Sequence, residues 1–343
     1  MSLSAALKSG DVTLLPGKRD EDWKWTDLRG LLRVLPATAP ALDLAGLAEG
    51  PFDALADQRH VVAGGHESVA IDVPAGSERA VALRVLSRDG GALAGKVTIH
   101  VGPGAKLRLL ESYEGDASAY VTDTAIIFVL EAGAAVERVV LAADGAEGVN
   151  VSQAKVTLSP GSEYGQTVIT NGARRQRIET QVTHPGAEAK LRLDGLYLLE
   201  DKRHADLTTV VLHQGVDGAT DQFTRGVVRD QARGIFQGRI VVEEGADRTE
   251  ARMRHNALIL SDKAEIDAKP ELLIFADDVQ CAHGNTIGAL DEEALFYMRQ
   301  RGLPEAEARA LLIEAFVGAV ADRIGFEPVR DIARAWAADR LRA

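Results

Sequence analysis

A turn glycine returns at nearly constant intervals through the middle of this chain. It sits in "PAGS", "GPGA", "EAGA", "SPGS", "HPGA", "HQGV" and "EEGA", at Gly76, Gly104, Gly133, Gly161, Gly186, Gly215 and Gly245. The spacings are 28, 29, 28, 25, 29 and 30 residues. A fixed period of this length marks a stack of identical supersecondary units, each too small to bury its own apolar face. Glycine suits the corner because the chain must turn sharply there, often at positive φ. Between the glycines run short β-type segments, "AVALRVL" (80–86), "KVTIHV" (96–101), "AIIFVL" (125–130), "AKVTL" (154–158) and "GRIVV" (238–242). Many alternate apolar with polar residues, as in Lys106-Leu107-Arg108-Leu109, the two-residue period of a half-buried strand. A parallel β-solenoid and an antiparallel sandwich of hairpins both fit; the near-constant spacing favours the solenoid.

The expected fold is therefore mainly β: a solenoid core over 66–285, a mixed or helical N-terminal cap over 1–65 and a C-terminal helical domain over 286–343. In the last part, "LDEEALFYMRQRG" has Asp291 placed as an N-cap and Gly302 as a stop. Pro304 then opens a helix whose stripe is Leu311, Leu312, Ala315, Phe316, Ala319, Val320 and Ile324. A third helix is expected over about 327–342. Three short helices cannot bury all these stripes against one another, so some of the surface covers the end of the solenoid or meets another chain. At the other terminus, "RDEDWKWTDLRGLL" holds two of the three tryptophans and reads as a cap over the first coil.

The chain of 343 residues carries a formal net charge of -12 and no long Lys/Arg run. Nucleic-acid and anionic-membrane binding both need a basic surface, so neither is expected. No uncharged apolar run reaches the length of a membrane span, and the opening stretch lacks a basic region followed by an apolar one. With one cysteine there is no internal disulfide. A soluble, cytoplasmic protein is the expectation.

The chemistry concentrates in "FADDVQCAHGNTIG" (275–288), which holds the lone Cys281 with His283 two residues on. On a strand both side chains leave the same face, the placement a shared soft metal or sulfur ligand would use. The plainer alternative is a buried thiol beside a hydrogen-bonded histidine. Asp277 and Asp278 are adjacent, would face opposite ways on a strand, and fit a solvated turn. The chain has no GxxxxGK[ST], GxSxG, HExxH or CxxC pattern. His184, His204, His213, His255 and His283 are scattered. No self-contained catalytic set emerges.

Three stretches resemble the SufB/SufD family of iron–sulfur cluster assembly proteins. These are "ALILSDKAEIDAKPELLIFADDVQCAHGNTIGALDEEALFYMRQRGL" (257–303), "RGVVRDQARGIFQGRIVVEEGADRT" (225–249) and "RDEDWKWTDL" (19–28), the last similar to the opening motif of the SufD branch. The short chain with one cysteine also suits that branch. The resemblance implies a right-handed parallel β-helix and a non-catalytic scaffold subunit of a SufB–SufC–SufD complex. It implies that the final coils pair with a SufB-like subunit and that the C-terminal helices dock a SufC-like ATPase, through the stripe of Leu311, Leu312, Phe316 and Val320. His283 then falls on a histidine that shares a metal or nascent-cluster site with the partner subunit, and Cys281 on the neighbouring motif cysteine. No cofactor is expected to bind tightly to the isolated chain; the nascent iron–sulfur cluster forms at the interface. Such a cluster needs about four ligands, more than one thiol and one imidazole can supply, so the pair reads as half a site.

The sequence departs from the family pattern in places. The N-terminal helical region is shorter than is usual for SufD. Asp206-Leu207-Thr208-Thr209 replaces an Asp-x-His-Thr run, Asn285 stands where a small residue is frequent, and Leu273 where an acid is. Two other readings differ in class or partner: a solenoid enzyme acting on carbohydrate, and a stand-alone structural homodimer.

Overall fold

In the computed structural model, which describes residues 2–342, the chain is a parallel β-solenoid of two sheets. Strands β1 (Gln58–Val62) to β17 (Gln280–Gly288) alternate between the sheets in chain order. The odd strands form a nine-stranded sheet and the even strands an eight-stranded one, each ordered as the sequence runs. Every pairing of neighbours is parallel and in register by one full coil, as where Leu191 of β11 (Lys190–Leu199) faces Thr220 of β13 (Ala219–Val228). The sandwich alternative is thereby excluded, since its sheets would be antiparallel.

The glycine corner explains the period. Gly76, Gly104, Gly133, Gly161, Gly186 and Gly245 have φ between 64° and 80°. The seventh differs: at Gly215 the left-handed residue is Asp217, at φ 61°. Gly215 is needed for closeness instead, because a Cβ there would stand 2.2 Å from the Pro185 carbonyl oxygen. Inside the coils, one residue in two points inward and stacks on its counterpart in the next coil. Val81 and Val85 of β3 (Glu78–Ser87) lie over Leu109 and Tyr113 of β5 (Lys106–Gly115) in the apolar interior, with Leu83 between them over the buried Glu111. Burying a Val or Leu stabilises by roughly 1.5–3 kcal/mol, and only stacking makes that burial available to a single coil.

Each outer face is covered over part of its area, where outward apolar residues would otherwise meet water. On the odd sheet lie two C-terminal helices, following α1 (Leu3–Ser9), α2 (Leu28–Leu31) and α3 (Glu292–Gln300) in chain order: α4 (Glu305–Ala321) and α5 (Glu327–Arg342). Val317, Val320, Ile324, Val329 and Ala333 pack there with Leu141, Ile169, Leu196 and Leu198. The helices thus cover a flank of the solenoid, where the sequence had suggested its end, because the flank presents outward-facing Leu, Ile and Val in successive coils. Arg323 pins them through Asp194, 2.9 Å away, and Asp221, 2.7 Å away.

On the even sheet, α1, α2 and the segment between them bury Leu3, Ala6, Leu15 and Leu28 with Val121, Val149 and Val151. The "RDEDWKWTDL" motif crosses later coils; it does not cap the first. Trp23 stacks on Arg177 of β10 (Arg175–His184), with the guanidinium 4.4 Å from the ring centre. The Trp25 carbonyl lies 3.0 Å from His204 Nε2, and Thr26 donates to Asp206, both on β12 (His204–His213). Asp22 pairs with Arg239 of β14 (Arg233–Val242) at 2.9 Å, and Glu21 with Lys269 of β16 (Glu265–Ile274) at 2.7 Å. These partners recur one coil apart, so the motif is a strap drawn across four strands. Among the described residues no helix is long and apolar enough to cross a membrane.

Candidate functional site

The two sheets end on β17 and β16, each hydrogen-bonded on one side only. Along β17, Cys281 lies in register with Ala251 and His283 with Met253 of β15 (Glu250–Ile259). Ala251 and Met253 are fully buried inward-facing residues, so Cys281 and His283 occupy inward positions of a coil on which nothing further stacks. That is why His283 is exposed and Cys281 half-buried. The spacing predicted a shared face, and the structure places both side chains on it, roughly 7 Å apart along the strand.

The rim of this open end is apolar. Ile274, Phe275 and Ile287 are 41%, 65% and 42% exposed, and Leu272 and Val279 are partly buried beside the core. A row of unpaired N–H and C=O groups on two edge strands, beside exposed large hydrophobics, is a template for another chain to complete. Asp277 and Asp278 lie exposed in the bend between β16 and β17, where the Asp278 carbonyl accepts the Arg248 backbone N–H at 2.5 Å. They belong to the turn.

Burial raises the Cys281 thiol pKa above its ordinary value, against a smaller lowering by the Ala251 backbone. At neutral pH the thiol is protonated, and a metal ion would have to displace that proton. Among the described residues no group of three or more His, Cys, Asp or Glu side chains is arranged to hold a metal ion. Of the other histidines, His255 lies buried one coil below this end, in register with Asn285 of β17, while His184, His204 and His213 do not join it. His184 and His213 stack on each other with ring centres 4.4 Å apart near one corner, and His204 lies under the strap.

Of the helix stripe, Leu311 is exposed, Leu312 and Phe316 are half-buried against the flank cluster, and Val320 is fully buried within it. Val320 is therefore a core residue of this chain and presents nothing to a partner. Phe296 and Tyr297 on α3 are 63% and 59% exposed, an apolar surface that the sequence reading passed over although "EEALFYMRQ" carries both in one turn. Also missed was Asp206. It lies buried, 2.8 Å from Arg177, with Thr26, Thr208 and Gln237 around it. The one-coil step from Arg177 to Asp206, which are in register on β10 and β12, could have shown it.

Residues 84–316 match the family described as "SUF system FeS cluster assembly, SufBD core domain". An iron–sulfur cluster assembly SufBD family protein of Synechocystis is 33% identical over 181 residues, which is 53% of this chain and 40% of the relative. The iron–sulfur cluster assembly protein SufD of Escherichia coli is 31% identical over 179 residues, 52% of this chain and 42% of the relative. A SufBD family protein of Mycobacterium leprae is 25% identical over 356 aligned positions, covering 94% of this chain and 89% of its own length. The chain thus matches less than half the length of the first two curated relatives.

Proposed function

The chain belongs to the SufBD family of SUF-system iron–sulfur cluster assembly proteins, and from that premise we propose that it is a non-enzymatic, SufD-like scaffold subunit. In this reading a SufB-like chain adds its own strands to the free edges of β16 and β17. Backbone hydrogen bonds across the edges supply affinity, and Ile274, Phe275 and Ile287 lose their exposure to water. A SufC-like ATPase docks on the helical part, where Leu311, Phe296 and Tyr297 are exposed and Leu312 and Phe316 half-exposed. The cytoplasm is the compartment proposed for this assembly.

The observation that carries the reading is the placement of Cys281 and His283 on the inward face of a coil with no coil above it. A thiol and an imidazole there are enclosed only once a partner stacks on that end. Iron and sulfide are the cargo of such an interface, and this chain would bring part of the ligand set, with His283 the nitrogen donor. The chain's own contribution is to hold that donor on a rigid strand and to exclude water when the coil closes.

The test is His283→Ala in a complex reconstituted from the full chain with SufB-like and SufC-like subunits. The expected result is an unchanged complex mass and unfolding temperature, with cluster content at least several-fold lower. Equal iron and sulfide per complex would remove His283 from the site.

A further inference from the structure

The open end carries a third polar group. Asn285 follows His283 by two residues on β17, so it shares the inward face. It lies in register with His255 of β15, which is fully buried. Asn285 Oδ1 is 2.7 Å from His255 Nδ1, and His255 Nε2 is 2.8 Å from the Tyr197 hydroxyl of β11. Burial lowers the His255 pKa to about 4, so the ring is neutral and donates at one nitrogen while accepting at the other. The Asn285 carbonyl oxygen can only accept. The proton therefore sits on Nδ1, and Tyr197 donates its hydroxyl to Nε2.

Space is made for this chain of bonds. Tyr197 reaches His255 across Gly226, where a Cβ would stand 1.9 Å from Tyr197 Cζ. The His255 ring lies flat on Phe236, with centroids 4.7 Å apart and planes 4° from parallel. The carboxamide is thus held by its oxygen, and its nitrogen has no hydrogen-bond partner among the described residues.

The geometry points to Asn285 as a hydrogen-bond donor to the sulfur of a ligand received beside His283, with His255 and Tyr197 as its positioning residues. Sulfide and thiolate sulfurs accept such bonds, which stabilise the reduced state and shift reduction potential. This inference rests on the cluster reading of the open end and adds a residue that reading does not use.

The experiment supplies ferrous iron and sulfide to the reconstituted complex. It measures the midpoint potential of the cluster formed and the rate of iron loss to a chelator. Asn285→Ala, at an exposed position, is expected to lower the midpoint potential and to speed iron loss about tenfold, the factor one hydrogen bond carries. Tyr197→Phe, which touches no atom of the open end, is expected to move both quantities the same way by less. A wild-type cluster whose potential and release rate are matched by Asn285→Ala overturns this inference alone. A wild-type complex that forms no cluster overturns the proposed function and takes this inference with it.

Discussion

Arg138 shows how much a single residue inside the solenoid depends on its neighbours. It is fully buried on the inward face of β7 (Ala135–Ala143), with Glu111 held at 2.9 and 3.0 Å and Gln166 at 2.8 Å. Losing one partner leaves the other charge buried without compensation, a cost of about 3–5 kcal/mol. Arg138→Met is expected to destabilise by that amount in denaturant unfolding, and adding Glu111→Leu to recover most of it. A double variant no more stable than the single one would show that the pair itself sustains the coil. At the open end, the Cys281–His283 spacing was legible in the sequence because a two-residue period is local. The link from Asn285 to His255 and Tyr197 was not, since those contacts span 30 and 58 residues and exist only once the coils are in register.

Among the elements, the C-terminal helices were legible as helices from their caps and stripes. Asp291 caps α3 as the sequence indicated, accepting from Glu293 and Ala294 at 3.0 Å. Where the helices pack was not legible, because an apolar stripe states that a face is buried and not against what. The stripe of α4 faces the odd sheet, so deleting 304–343 strips cover from Leu141, Leu196 and Leu198. Such a truncation is a poor probe of partner docking. Substitutions in α4 and in the loop that follows it separate the two roles. Ile324→Ala, in the loop after α4 and fully buried, is expected to cost about 2–5 kcal/mol of stability. Leu311→Asp, on the exposed side, is expected to leave the unfolding temperature within a degree or two of wild type and to weaken ATPase-subunit binding at least tenfold in titration calorimetry. Unchanged binding by that variant would move the docking surface elsewhere.

For the molecule as a whole, the buried histidines set the response to acid. Burial lowers His184 and His255 to about 4 and His213 to about 3, from 6.5; His204 is lowered too. The unfolded chain then binds protons that the folded chain refuses. The stability this represents is full above about pH 6.5 and is lost as pH falls below it. Each histidine should cost roughly 1 kcal/mol between pH 7 and 5.5. Asp123, raised to about 6 by burial, acts in the opposite sense and offsets part of the loss. Urea midpoints are expected to fall steadily over this range, and His213→Gln to flatten the slope by about one proton. A pH-independent midpoint would mean that these rings titrate within the native fold.

From the sequence alone came the coil, its period and its apolar interior, together with the residues that share a strand face. All of these follow from local repetition: glycine at a corner, alternation along a strand, a capped helix. Tertiary structure alone decided that the helices lie on a flank, that the N-terminal motif straps four later strands and that β16 and β17 remain open. It also decided that Val320 is core and that Asn285 is held from below. The physical reason is common to them. Each depends on which coil stacks over which, and that register is a property of the assembled stack of hydrogen-bonded strands, absent from any single repeat.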